Sequence, residues 1–260
     1  MITEKLEQRK FYNIRYSIVQ RASHKLFSLP LLFYDKRLIK MILENSVNRE
    51  SKIVLDVGTG QGTDAILIAQ NVHHVVCIDI SSSAIKTAKF LAKGTAHCKN
   101  LSFIVADAEH LPFREGVFDI VYCKDLLHHV SNPLKTMLEM KYVTKEKGIV
   151  TAVEANAFNA QMIAIGLLYF SIDKGVFKNT KKRLIALFSR VGLSNVNVVE
   201  TEFFPRHVFF EFRSPVNKFI KTEGSIILKI LENLESNLQK SAILRTFANY
   251  LVICGYKEYN

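Results

Sequence analysis

Between Lys52 and Glu154, short runs rich in β-branched residues alternate with helical patterns, and few folds accommodate that rhythm. The strand candidates are KIVLDV, HVVCIDI, LSFIVA, FDIVYC and GIVTAVE. Helix candidates lie between them, at residues 62–70, 82–92 and 132–142. The segment SSSAIKTAKFLA opens with serines able to accept from the first helical N–H groups, and it sets Ile85, Ala88 and Leu91 on one face. Strands that are apolar throughout, separated by helices, predict a parallel sheet covered on both faces. Short right-handed crossovers then make a doubly wound α/β sheet the default.

After Glu154 the rhythm changes. TKKRLIALFSRVGL reads as an amphipathic helix with Leu184, Leu187, Phe188 and Val191 inward and Gly192 as its stop. NVNVVETEFF and NYLVICGY read as two further strands, separated by a detour over residues 205–248. The detour holds a phenylalanine-rich loop and then a helix whose Ile226, Ile227, Ile230, Leu231, Leu234 and Leu238 form one stripe. The simplest parse is one domain over 1–260: an N-terminal helical cap (1–50), a core (51–158), and a final part (159–260) with a helical insertion (205–248) before the last strand.

Charge follows the same division. The net charge is +11, yet residues 51–158 hold 11 basic and 11 acidic residues. The excess lies outside the core, at 10 to 5 in residues 1–50 and 14 to 8 in residues 159–260, and it favours anionic partners. The longest apolar run, IAIGLLYF, is too short to cross a bilayer, and the charged start MITEKLEQRK shows no signal-peptide pattern. Cys77, Cys98, Cys123 and Cys254 are scattered singly. That spacing predicts free thiols in a reducing cytoplasm, with neither a disulfide framework nor a zinc site.

The turn in VLDVGTGQGTDA, after the first strand, carries the candidate chemistry. A dinucleotide fingerprint would read G-x-G-x-x-G, with pyrophosphate on the helix N-terminus. Here the glycines fall at Gly58, Gly60 and Gly62, and the carboxylate of Asp56 precedes them. A carboxylate is unfavourable beside a pyrophosphate but suits a ligand presenting an ammonium group. Asp79 closes the second strand, where it can accept from both hydroxyls of a ribose. Asp107 closes the third strand, and its oxygen with the Ala108 N–H matches the edge of adenine. Ammonium, ribose and adenine without phosphate describe S-adenosylmethionine.

The stretches VLDVGTGQG, CIDIS, VADAEHLPF and FDIVYCKDLLHHVSNP, in that order, resemble the class I S-adenosylmethionine-dependent methyltransferases, in particular their small-molecule group. The resemblance covers roughly residues 50–155. It implies a Rossmann-like, mostly parallel seven-stranded sheet with an antiparallel end. It also implies that Asp56, Gly58, Thr59 and Gly60 hold the methionine part, Asp79 the ribose, Ile80 one adenine face, and Asp107 with Ala108 the adenine edge. Lys124, closing the fourth strand, completes the cofactor set.

Methyl transfer from a sulfonium mainly requires alignment and exclusion of water. A base is needed only where the acceptor must lose a proton. The candidates are His128 and His129 after the fourth strand, with Asp125 nearby, and Glu154 at the end of the fifth. If the two histidines share a helical turn they point apart, so at most one acts; a packing histidine and a salt-bridged glutamate are the plainer alternatives. No N-P-P-Y or D-P-P-Y stretch follows strand four, and no Pro-Cys pair occurs, which disfavours methylation of exocyclic base nitrogens or of cytosine C5.

Two segments bear on the acceptor. QMIAIGLLYFSIDKGVFKNTKKR joins an apolar run to Lys174, Lys178, Lys181, Lys182 and Arg183; FFPRHVFFEFR gathers Phe203, Phe204, Phe209, Phe210 and Phe212. Aromatics beside basic residues suit an interfacial membrane contact or the lining of a hydrophobic pocket, and they also suit ordinary core under a solvated face. Three readings follow: methylation of a small, hydrophobic or lipid-like acceptor by a cytoplasmic protein able to sit at the inner membrane face; a tRNA or rRNA methyltransferase using the basic flanks; or a non-catalytic cofactor-binding partner subunit.

Overall fold

The computed structural model describes residues 5–7, 9–14, 29–44, 48–160, 163, 167, 174–203 and 226–259. The strands are β1 (Ile53–Val57), β2 (His74–Asp79), β3 (Leu101–Val105), β4 (Phe118–Lys124), β5 (Thr144–Ala155), β6 (Ser194–Thr201) and β7 (Tyr250–Tyr256). They form one seven-stranded sheet in the order β3-β2-β1-β4-β5-β7-β6. All neighbouring pairs from β3 to β5 are parallel, and β7 runs antiparallel between β5 and β6. The expected doubly wound sheet with its antiparallel end is therefore present.

The helices are α1 (Leu29–Leu43), α2 (Thr63–Ile68), α3 (Ser82–Ala92), α4 (Pro133–Val143), α5 (Lys181–Arg190), α6 (Ile226–Lys240) and α7 (Ala242–Arg245). Their starts are set by side chains. Ser81 accepts from the Ala84 N–H, Asn132 from Lys135 and Thr180 from Arg183, each replacing a bond the first helical turn lacks. Pro133 occupies the first turn of α4, where its missing N–H costs nothing. Gly192 ends α5 at φ 74°, as expected.

Alternation along the strands builds two apolar layers. Val54, Ile120 and Tyr122 face a layer shared with Leu38, Ile42, Ile66 and Ile68. Leu55, Val57, Val121 and Cys123 face the other, with Met137, Met140, Leu184 and Phe188. Burying each of these larger side chains contributes about 1.5–3 kcal/mol relative to exposure.

Two expectations shift. β5 begins at Thr144 rather than at Gly148, because α4 runs directly into it, with Thr144 Oγ1 donating to the Met140 carbonyl. An irregularity in the β4–β5 register, between Phe118 and Ile120, absorbs the extra residues. The stripe expected on α6 is split: Ile226, Ile230 and Leu234 are exposed at 75%, 53% and 47%, while Ile227, Leu231 and Leu238 are partly buried. α6 instead buries Leu228 and Glu235, and Glu235 meets the Arg37 guanidinium of α1 at 2.6 Å. An ion pair thus helps to seat this helix beside the partly buried half of the stripe. The phenylalanines at 204, 209, 210 and 212 and most of the run 161–173 lie outside the described residues.

Candidate active site

Strand order reverses between β1 and β4, and the crevice in which folds of this topology bind ligands belongs at the C-terminal ends of those two strands. The predicted site residues converge there. Asp56 lies near the end of β1 and is 3% exposed. The Thr59 hydroxyl donates to Asp56 Oδ2 at 2.6 Å. Burial, reinforced by nearby Asp64 and Asp79, pushes the Asp56 carboxyl up to about 7, against the Thr59 bond and the Lys124 charge.

The turn that follows is folded onto β2. The N–H groups of Gly58 and Thr59 both donate to the Ile78 carbonyl at 2.8 Å. Gly58 and Gly60 adopt φ values of 77° and 55°, a region that costs other residues energy. A Cβ at Gly58 would stand 2.8 Å from Leu126 Cδ1, so the turn after β4 lies directly over it. Asp79 accepts from the Gly60 N–H at 2.9 Å and the Ser81 N–H at 2.8 Å, which locks the glycine turn to β2. Burial nevertheless raises its carboxyl above the ordinary range. Ile80 is partly exposed beside it.

Asp107 and Ala108 follow β3. Asp107 Oδ1 accepts from the Glu109 N–H, and Oδ2 takes the Lys5 ammonium at 2.9 Å. Partial burial opposes ionisation, but Lys5 and the Glu109 N–H outweigh it and hold the carboxyl below its usual range. Lys5 also meets Glu109 at 2.8 Å. Further along the same segment, Asn13 Oδ1 accepts from the Ser81 hydroxyl at 2.7 Å, and the Tyr12 ring meets His129 edge-on at 5.6 Å. Residues 5–7 and 9–14 thus meet Asp107 after β3, Ser81 after β2 and the turn after β4.

Lys124 points into a second acidic group. Its ammonium lies 3.1 Å from Asp64 and 3.5 Å from Asp35, while the Tyr122 hydroxyl donates to Asp64 at 2.6 Å. Beyond it, Asp125 turns the chain at φ 49°, and its carboxylate accepts from the Tyr250 hydroxyl at 3.3 Å. In the turn that follows, the Leu126 carbonyl accepts from the His129 and Val130 N–H groups at 2.9 and 3.2 Å, and the His128 and His129 rings do not point apart as expected but lie 4.0 Å apart and tilted.

Glu154 is fully buried and takes four donors. The N–H groups of Leu126 and Leu127 reach Oε1 at 3.0 and 2.7 Å. His128 Nδ1 and Asn179 Nδ2 reach Oε2 at 2.5 and 2.7 Å. Asn179 and Gly175, missed in the sequence, come from the segment before α5; a Cβ at Gly175 would stand 2.1 Å from the His128 carbonyl oxygen. No local pattern marks them, since Asn179 is 25 residues from Glu154. Asp64, Leu126 and the Lys5–Asn13 segment were missed for the same reason, as Lys5 lies 102 residues from Asp107. Among the described residues no cluster of three His, Cys, Asp or Glu side chains could hold a metal ion.

Comparison with known proteins gives this crevice a context. An uncharacterised Methanocaldococcus jannaschii protein, MJ0638, is 32% identical over 130 residues, 50% of this chain and 51% of its own. A demethylmenaquinone methyltransferase of Thermotoga maritima is 33% identical over 121 residues, 46% of this chain and 49% of its own. The chain thus spans about half the length of these curated relatives. The crystal structure of YcgJ from Bacillus subtilis shares the fold, with a TM-score of 0.61 at 20% identity over 86% of this chain and 99% of that one. The methyltransferase domain family model matches residues 48–189. That match takes in β1 to β5 and the crevice above them over more than half of the chain, and the chain accordingly belongs to the methyltransferase domain family, within the class I S-adenosylmethionine-dependent methyltransferases.

Proposed function

We propose that the protein transfers the methyl group of S-adenosylmethionine to a small, hydrophobic acceptor. The observation that carries this reading is the buried Asp56 carboxyl, pushed up to about 7, under a glycine turn open to close approach. An α-ammonium group seated there would add the positive charge that Lys124, shared with Asp64 and Asp35, does not fully supply; a phosphate would worsen the balance. Bound, the donor supplies an electrophilic sulfonium methyl, and the protein's own part is to bind, orient and exclude water.

In this reading Asp56, Gly58, Thr59 and Gly60 seat the methionine part, Asp79 and Ile80 the ribose and one adenine face, and Asp107 with Ala108 the adenine edge. Lys124, held by Asp64 and Asp35, serves as counter-charge beneath the seat rather than as a direct contact. Adenine's amino group and Lys5 draw on the same Asp107 carboxylate, so Lys5 gives way there when the donor enters.

Support for a hydrophobic acceptor comes from the far rim. Phe158 and Phe247 are 53% and 54% exposed, and Asn159 Nδ2 donates to the Phe247 carbonyl, tying the two segments together beyond the end of β5. The name of the Thermotoga relative, a demethylmenaquinone methyltransferase, fits an acceptor of this kind. Among the described residues no helix is long and apolar enough to cross a membrane, so contact with lipid would be peripheral. The test is calorimetric binding of S-adenosylhomocysteine, followed by its release from S-adenosylmethionine against a total lipid extract and against total RNA. Asp107→Ala is the control. A folded protein that binds no S-adenosylhomocysteine refutes the donor assignment; turnover on RNA alone refutes the hydrophobic acceptor.

A further inference from the structure

The edge of the sheet that carries the candidate site continues beyond β5, where three segments are bound together. β5 ends at Ala155 opposite Tyr250, the first residue of β7. Asn156 Nδ2 donates to the Thr246 and Ala248 carbonyls, each at 2.9 Å, and Asn159 Nδ2 donates to the Phe247 carbonyl at 2.8 Å. The Ala157 N–H donates to the Asn179 carbonyl at 2.9 Å. Residues 156–160, 174–183 and 240–249 therefore form one rim beside the C-terminal ends of the parallel strands.

The charge of this rim is one-sided. NAFNA, KGVFKNTKKR and KSAILRTFAN hold five Lys/Arg in the second stretch, two in the third and none in the first, with no Asp or Glu in any of them. Lys181 is held by Glu200 of β6 at 2.7 Å, and Arg183 donates to Asn179 Oδ1 at 3.3 Å. Lys178 and Lys182 are exposed, and Arg245 is half-buried.

Large apolar side chains stand on the same rim. Ile243 and Leu244 of α7 are 75% and 42% exposed, and Phe158 and Phe247 are about half exposed. Ala248, Asn249 and Tyr250 are buried directly after them, so the segment is seated firmly while these four side chains stay outside. Apolar groups gathered in this way mark a surface that another body covers.

The chemistry of the rim selects among the bodies that could do so. A second copy paired about a two-fold axis would set this rim against itself, cation against cation. A nucleic acid matches the cations, but Ile243 and Leu244 offer its bases nothing to stack on. An anionic bilayer satisfies both halves at once: apolar side chains enter the headgroup boundary, and lysines and arginines rest on the phosphates.

We infer that this rim is a docking surface for an anionic lipid bilayer, entered by Phe158, Ile243, Leu244 and Phe247 and flanked by Lys178, Lys182 and Arg245. The surface stands on the rim alone. Its use, delivery of acceptor from the bilayer to the neighbouring site, rests on the hydrophobic acceptor proposed above.

The experiment is co-sedimentation of the full chain with phosphatidylcholine vesicles, with and without phosphatidylglycerol at a ratio of about 2:1. Binding is expected to the mixed vesicles and to weaken as sodium chloride rises from about 0.05 to about 0.5 M. Ile243→Asp should lower the partition coefficient at least about 10-fold. Lys182→Gln with Arg245→Gln should lower it roughly 25-fold, about 5-fold for each charge. Leu138→Asp, a half-exposed position on α4 away from the rim, should change it less than about 2-fold. All variants should keep the wild-type melting temperature and S-adenosylhomocysteine affinity, since none touches the core or the glycine turn. Equal binding to both vesicle types, binding to neither, or an unchanged partition of Ile243→Asp would each overturn the proposal. So would a dimer in light scattering that Ile243→Asp abolishes, or binding to RNA but not to vesicles. Docking without turnover on a lipid extract would strike instead at the hydrophobic acceptor and leave the surface standing.

Discussion

Replacing Asp56 by Asn should stabilise the ligand-free protein while weakening its hold on the donor. The side chain is 3% exposed and its carboxyl stands at about 7, with burial the main cause. In the unfolded chain the same group ionises near pH 4. Between about pH 4 and 7 the folded state therefore holds a proton that the unfolded state has released, so Asp56 makes stability fall as pH rises through this window and leaves it level above. At about 1.4 kcal/mol per pH unit, the accumulated penalty at pH 8 is about 4 kcal/mol. Asn has nearly the same shape, never ionises, and can still accept the Thr59 hydroxyl bond. Asp56→Asn should thus raise the melting midpoint by roughly 10 °C at pH 8, by less at pH 5, and not at all near pH 3.5. Differential scanning calorimetry across that range measures it. Calorimetric titration should show the affinity for S-adenosylhomocysteine falling by roughly 10–100-fold, the loss of a charge-assisted bond to an ammonium. A midpoint gain that is the same at every pH, or a loss of stability at pH 8, would refute the reasoning.

Other substitutions probe the remaining geometry. Gly58→Ala places a methyl 2.8 Å from Leu126 Cδ1 at φ 77°, and should cost about 1–3 kcal/mol in urea unfolding and at least about 10-fold in cofactor affinity. Gly175→Ala meets the His128 carbonyl oxygen at 2.1 Å, which is backbone and cannot rotate away. It should cost about 1–3 kcal/mol or more and displace the His128 ring signals in NMR spectra. Asn13→Ala removes the partner of the buried Ser81 hydroxyl; it should lower stability by about 1 kcal/mol in denaturant titration and speed release of S-adenosylhomocysteine in stopped-flow measurements.

The core was legible because its information is local. Each strand from β1 to β5 carries an apolar run, Ser81, Asn132 and Thr180 cap helices within three residues, and each of the carboxylates Asp56, Asp79 and Asp107 lies near the end of its own strand. The sheet then brings Asp56, Asp79 and Asp107 to one edge because parallel strands end together. Partners supplied from a distance were not legible. Lys5 against Asp107, Arg37 against Glu235 and Asn179 against Glu154 are polar residues in unremarkable surroundings, and only tertiary structure pairs them. The placement of the two histidines was not legible either, since neighbours in one short turn need not diverge: their rings lie 4.0 Å apart.

The position of β7 bears on the order in which the molecule is assembled. Glu154 pairs with Leu251 on one flank, while its strand meets β4 on the other through Val153 and Lys124. Strands β1 to β4 can pair as neighbours close in the chain, but β5 gains its second neighbour only after the chain has traversed α5, β6 and α6. Closing such a long loop carries an entropic cost that precedes any contact, so pairings of this separation form late. The strand bearing the carboxylate that orients His128 is thereby secured by one of the last pairings to form. A nascent protein can therefore shape the glycine turn between β1 and β2 before the strand that carries Glu154 has its second neighbour.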